Sequence, residues 1–193
     1  MGRTKVFDET EALGLAMHLF WRQGYANTSI KQLLAEMDML NGSFYHTFKD
    51  KKTIFLKVLA HYNEEYTFKR QEALMRQDDF SVGIRVLFSE IYKTLKSKDE
   101  PNGCLIVNSM VDEVLREEEL KNYLYESSSQ FIRIFAERIQ HSIDLKFTHT
   151  TLPAMQLAYI LGTYIFGLLR ASVMIEVKQL ESQTNDLLKA LSL

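Results

Sequence analysis

An all-helical fold is what this sequence predicts, on three observations. Two prolines and eight glycines in 193 residues are too few to punctuate a many-stranded sheet. Apolar residues recur at intervals of three and four along most of the chain, which is the period of one helix face. Residues of N-capping type stand just ahead of several of those stripes. With 46% apolar residues the chain also has ample material for a buried core.

The first helix is expected from near Asp8, because Asp8, Glu9 and Glu11 place negative charge in its first turn. Leu13, Ala16, Met17 and Phe20 form its stripe, and Gly24 stops it. Asn27-Thr28-Ser29 supplies caps for a short second helix striped by Ile30, Leu33, Leu34 and Met37. A tight turn at Asp38-Met39-Leu40 precedes a third short helix, from about Asn41 to Phe48. Asp50 can cap a fourth helix starting near Lys51, whose stripe runs Ile54, Phe55, Val58, Leu59, Tyr62, Tyr66. Five further helices are expected near 80–97, 104–116, 118–145, 151–177 and 179–191. The clearest loop is Asp99-Glu100-Pro101-Asn102-Gly103, and Pro153 after two threonines marks a helix start.

Composition narrows the function classes. A net charge of −2 makes no case for nucleic-acid binding by itself. Residues 1–52 carry seven Lys/Arg against six Asp/Glu, so any such affinity must come from where the charges sit. The lone cysteine, Cys104, fits a reducing, cytoplasmic setting. The longest apolar run, Leu157 to Leu169, is too short for a bilayer span, so no membrane partner is expected. The five histidines lack metal-ligand spacing. No phosphate-cradling glycine loop or nucleophile elbow occurs. No catalytic residue, metal or cofactor is therefore expected. An enzyme using Cys104 with a distant histidine, and a helical interaction protein without DNA binding, stand as rival classes.

Two short helices joined by a tight turn within residues 24–55 have the shape of a helix-turn-helix, in which one helix braces on the DNA backbone and the next enters the major groove. Gly24-Tyr25-Ala26-Asn27-Thr28-Ser29-Ile30-Lys31-Gln32-Leu33, followed by Gly42-Ser43-Phe44-Tyr45-His46-Thr47-Phe48-Lys49-Asp50-Lys51, resembles the DNA-binding domain of the TetR family of bacterial regulators over roughly residues 8–60. The resemblance implies an N-terminal three-helix DNA-binding domain, residues 1–52, and a C-terminal helical bundle for ligand binding and dimerisation, residues 53–193. The function it implies is a ligand-responsive transcriptional regulator, a repressor released from a double-stranded DNA operator by a small molecule.

The DNA-contacting set expected on this basis is Thr28, Lys31, Asn41, Gly42, Ser43, Tyr45, His46, Lys49 and Lys51. Thr28 caps the second helix or touches a phosphate. Gly42 permits close approach of backbone. The resemblance implies a phosphate contact for Tyr45; a merely packed ring is the alternative. Base readout falls to Asn41, Ser43 and His46, with Lys31 and Gln32 as outliers. Phe44 and Phe48, four apart, should face the core. Lys49, Lys51 and Lys52 cluster where phosphates would lie, and Arg3 and Lys5 form a short arm. Asp38 stands where the family usually has Gly, and Leu40 where it often has a capping Ser or Thr. Either Asn41 caps the third helix or that helix goes without.

Aromatic and polar residues crowd the remainder, as a plain core or as the wall of an effector cavity. The expected cavity set is Tyr62, Tyr66, Phe88, Tyr92, Cys104, Asn108, Phe131, Phe135, Tyr159, Thr163, Phe166 and Arg170. Arg170 meets an anionic ligand, pairs with Asp112 or Glu113, or reaches solvent. Gly103-Cys104-Leu105 resembles a segment found in a subset of TetR-like proteins, some of which sense electrophiles or oxidants through the cysteine. A thiol-based sensor acting through Cys104 is therefore the alternative function. Surplus apolar surface on the last two helices, 151–191, is expected to bury itself against a second copy, giving a homodimer.

Overall fold

The computed structural model describes residues 8–193, and the arm of Arg3 and Lys5 lies outside them. Among the described residues the chain forms α-helices and one π-helical turn, without strands.

Three helices build the N-terminal head: α1 (Glu9–Gln23), α2 (Ile30–Glu36) and α3 (Asn41–Phe48). They close over Phe20, Leu33, Phe44, Phe48 and Phe55, all fully buried. Asp8 caps α1 by accepting from the Thr10 and Glu11 amides, and Gly24 (φ 79°) ends it. The cap of α2 is Ser29, not Thr28. Ser29 and Gln32 bond reciprocally, each side chain to the other's backbone amide. Thr28 turns inward and donates its hydroxyl to the Gly24 carbonyl at 2.8 Å. Asp38 takes a positive φ of 49°, which a short polar side chain tolerates in place of glycine.

Helix α4 (Lys51–Tyr62) is capped by Asp50, which accepts from the Thr53 amide at 2.7 Å. That bond, with Lys52 nearby, holds the Asp50 carboxyl below its ordinary range. Its folded value lies below its unfolded one, so the stabilisation is complete at neutral pH and fades as acid protonates the group. Asp50→Ala is expected to cost about 1 kcal/mol, lowering the melting temperature by about 2–4 °C at neutral pH. In a thermal melt the deficit should shrink as the pH falls through the Asp50 titration.

The stripe of α4 does not run on as a regular helix. A π turn at Asn63–Thr67 follows, and α5 (Phe68–Met75) continues beyond it. Such turns carry one extra residue and occur often at functional sites. Helix α6 (Phe80–Lys96) then crosses α5 at close range, where a Cβ on Gly83 would stand 2.9 Å from the Leu74 carbonyl oxygen.

The helix expected at 104–116 is two short pieces, α7 (Leu105–Asn108) and α8 (Asp112–Leu115). Ser109 breaks the ladder: its hydroxyl donates to Leu105 O at 2.7 Å, and its carbonyl accepts from the Val111 amide at 2.9 Å. Helix α9 (Glu118–Asp144) packs along α10 (Ala154–Ala171), and α11 (Val177–Ala190) closes over α6. The segment expected to be helical from 151 to 177 starts only after Pro153 and ends at Ala171. At 18 residues α10 is long and apolar enough, by length and composition, to cross a membrane. Leu157, Ala158, Leu161, Ile165, Leu168 and Leu169 are instead buried against the bundle, as in a core helix. Its opposite face, with Met155, Tyr159, Ile160 and Thr163, is exposed.

Candidate nucleic-acid interface and effector cavity

Helix α3 is held from behind. Phe44 and Phe48 are wholly buried, with ring centroids 5.6 Å apart. Four-residue spacing puts both on the inner face, so the rest of the helix points outward. Asn41, Gly42, Ser43, Tyr45, His46 and Lys49 are all exposed, as is Lys31 on α2. Tyr45 sets its ring edge-on to Phe44 at 5.4 Å and leaves about half its surface in solvent. A Cβ added to Gly42 would meet nothing within 4 Å. Its lack of a side chain therefore serves no packing inside the head.

Leu40, rather than Asn41, stands at the N-cap of α3, and its side chain makes no cap bond. No side chain therefore caps the first-turn amides of α3, the kind of position where helices hold phosphate oxygens. Leu40 itself is 79% exposed at the same corner. Sequence reasoning did not mark Leu40 as part of this exposed corner. The signal was a non-capping residue at a cap position.

Three expected contacts have other duties. Thr28 is fully buried, so its hydroxyl serves the head and not the surface. Gln32 is held by Ser29 and donates to Gln23 at 3.1 Å. Lys51 folds back over the Tyr25 ring, 4.4 Å from its centroid, and donates to the Ala26 carbonyl at 3.4 Å. Partial burial pushes its pKa down. Lys52 pairs with Glu119 on α9 at 2.9 Å, tying the start of α4 to the bundle.

The joint between head and bundle is aromatic. Trp21 of α1 meets Tyr62 and Tyr66 edge-on, with centroids at 5.0 and 5.4 Å. Its indole N–H donates to the Asn102 carbonyl at 3.2 Å. Tyr62, fully buried, donates to Cys104 Sγ at 3.3 Å, and burial drives its pKa far up. Tyr66 donates to Glu100 at 2.8 Å. Desolvation first, then that carboxylate, raise its pKa.

Behind this joint lies a cavity of about 40 Å³. Leu87, Ile91, Phe131, Ile165, Phe166 and Leu169 supply its apolar wall. Asn63, Thr67, Arg70, Ser127 and Ser128 supply the polar edge. That volume holds a water or two, so a larger ligand must part its walls. Of the residues expected to line it, Cys104, Phe131 and Phe166 do. Tyr62 stands behind Cys104, and Tyr66 points to the joint. Phe135 packs edge-on to Phe80 in a deeper layer. Phe88 stacks on Tyr92 and meets Tyr164 of α10 edge-on, while the Tyr92 hydroxyl meets Thr184 of α11, so both serve the packing of α6 on the last two helices. Tyr159, Thr163 and Arg170 face outward because they share the solvent side of α10. Arg170 reaches Asn108 at 3.4 Å, and Asn108 in turn donates to the Asn102 carbonyl. Asn63, Thr67, Arg70 and the two serines were missed, because their inward placement depends on the π turn and on the face that α9 presents.

Residues 12–58 match the family model described as bacterial regulatory proteins, tetR family. The chain is 30% identical over 130 residues to the uncharacterized HTH-type transcriptional regulator YezE of Bacillus subtilis (strain 168), a match covering 67% of each protein. It is 33% identical over 109 residues to the HTH-type transcriptional repressor ComR of Escherichia coli (strain K12), spanning about half of that protein (52%) and 56% of this chain. Among solved structures it resembles a cysteine mutant of the TetR family transcriptional regulator CifR complexed with a 26 bp double-strand operator DNA. There the TM-score is 0.88 at 28% identity, over 97% of this chain and 99% of that one.

Proposed function

The chain belongs to the TetR family of bacterial regulatory proteins, and from that premise we propose that it is a homodimeric repressor whose α3 helices occupy an operator until a small molecule enters the bundle. The observation that carries this is the outward face of α3. It combines exposed Asn41, Ser43, Tyr45 and His46, a glycine open to backbone approach, and first-turn amides left without a side-chain cap. In this reading Tyr45, Lys31 and Lys49 anchor phosphates, while Asn41, Ser43 and His46 meet base edges. Lys51 contributes by bracing the turn after α1 and by adding positive charge near the backbone. The head ends at residue 52 and the effector and dimerisation domain begins at 53, with α4 spanning the joint. The setting is the cytoplasm.

Dimerisation uses the exposed side of α10 together with α11. Met155, Tyr159, Ile160 and Thr163 make an uncovered, largely apolar face on one chain. A two-fold mate placed there presents two α3 helices to successive grooves, about 34–36 Å apart. An effector that favours one tilt of α4 then changes that spacing, coupling the two sites by about 1–3 kcal/mol. ComR is named a repressor and CifR is described on operator DNA, which supports the reading.

A gel shift at low salt on the DNA upstream of the coding sequence tests it. Binding should be lost on Tyr45→Ala and reduced severalfold on Lys51→Ala. Equal retardation by wild type and Tyr45→Ala would sink the assignment of α3.

A second reading concerns Cys104, which stands on the cavity wall with its sulfur accepting from Tyr62. An electrophile entering the cavity would meet that thiol and disturb its bond to the Tyr62 ring that abuts Trp21. Under this reading, Cys104→Ser abolishes release by an alkylating agent while leaving operator binding intact.

A further inference from the structure

Asn63 opens the π turn, and its carboxamide is buried at 4% exposure on the cavity wall. Its Nδ2 donates to the Tyr123 hydroxyl at 3.0 Å and to the Ser127 hydroxyl at 3.1 Å. Its Oδ1 has no hydrogen-bond partner. A buried carbonyl oxygen left so, on a cavity wall shared with leucine, isoleucine and phenylalanine, is costly, and native proteins rarely keep one without a reason.

The π turn has two working faces. Tyr62 and Tyr66 look toward the head and pack on Trp21. Asn63 and Thr67, one residue further along in each case, look into the cavity. A group that binds Asn63 therefore acts on the same helical turn that holds α1.

We propose that the cavity takes a neutral, mainly apolar molecule bearing a hydroxyl, that the hydroxyl bonds the Asn63 carboxamide, and that the π turn relays its arrival to Trp21. This rests on the regulator reading above and names the chemistry of its effector. A hydroxyl donates its hydrogen to Oδ1, the atom that has no partner. A carboxylate has no hydrogen for Oδ1 and would meet the oxygen's negative end. Arg70, the charged residue of the lining, is engaged by Thr94 at 2.9 Å and lies over the Tyr66 ring. Phe131 and Phe166, ring centroids 5.8 Å apart and only partly buried, are the walls that part to admit a ring.

The test is titration of the full chain with benzyl alcohol and with toluene, by calorimetry and by emission of Trp21, the single tryptophan. One net hydrogen bond predicts roughly threefold to tenfold tighter binding of the alcohol, with a shift in Trp21 emission that tracks occupancy. In Asn63→Leu the preference should vanish. Equal affinities in the wild type would leave the amide to a buried water and overturn the proposal. So would a failure of the alcohol to bind up to its solubility limit, binding without any emission change, or a preference that survives in Asn63→Leu. The wild-type comparison decides even if that variant does not fold. Operator binding is scored separately by gel shift, so its absence counts against the preceding reading and not against this one.

Discussion

Tyr159→Arg combined with Ile160→Glu is expected to yield a folded monomer that binds operator roughly 10²–10⁴-fold more weakly than wild type. The two side chains are 58% and 40% exposed on a single chain, so little of the chain's own core depends on them, and surface changes usually move stability only slightly. Against a second copy the same residues would be desolvated, and unpaired charges placed there are strongly unfavourable. The drop in affinity follows from linkage between the heads. Once one head is bound, the second binds as an intramolecular event, and losing that advantage removes two to four orders of magnitude without touching any DNA contact. Sedimentation and gel-shift measurements on the same sample decide the matter. A variant that sediments as a dimer places the interface elsewhere, and a monomer with undiminished affinity removes the two-headed geometry.

Phe44→Ala should be the most damaging single change in the head, costing about 3–5 kcal/mol. The ring is fully buried and lies against Phe48 and Tyr45. Truncation would open a cavity behind α3, a helix of eight residues. Helices this short are not stable alone and rely on their packed face. The total stability of a native protein is about 5–15 kcal/mol, so the head should melt early or stay partly open, and operator binding should fall with it. Tyr45→Ala is the control, since it removes a half-exposed ring and leaves Phe44 in place. It should lose DNA binding with a nearly unchanged melting temperature. Were Phe44→Ala to melt like the wild type, the inward placement of that ring would be wrong.

Much of the head was legible because its determinants are local. The stripe of α1, the glycine that stops it, the Asp50 cap and the four-residue spacing of Phe44 and Phe48 each depend on neighbours within a turn or two. The outward face of α3 follows from that spacing, and most of the expected contact set sits on it. Errors in the head came from competition between adjacent residues for one duty. Thr28 and Ser29 are both good caps; Ser29 took the role, and Thr28 was buried beneath the turn. At α3, where two alternatives stood open, the helix goes without a side-chain cap, with Leu40 at the cap position.

The bundle was legible only in outline. Which aromatic residues face a cavity depends on how helices distant in sequence are rotated against one another. Tyr92 was claimed by Thr184, 92 residues away, and Tyr62 by Cys104, 42 residues away. Periodicity marks an apolar face but does not say which partner covers it. It also assumes an unbroken 3.6-residue repeat, which the π turn at Asn63–Thr67 interrupts.

By itself the sequence determined the all-helical class, the order and approximate limits of the long helices, and the pattern of α3 by which the head resembles a DNA-binding domain. These arise from capping, helix period and short-range spacing, all of which act within one or two turns. Tertiary structure alone decided the pairing of Trp21 with Tyr62 and Tyr66, the turning of Lys51 and Lys52 back onto the protein, and the gathering of Asn63, Ser127 and Phe131 around one cavity. Those arrangements are set by burial and hydrogen bonding between helices far apart in the chain, where no local rule fixes which face meets which.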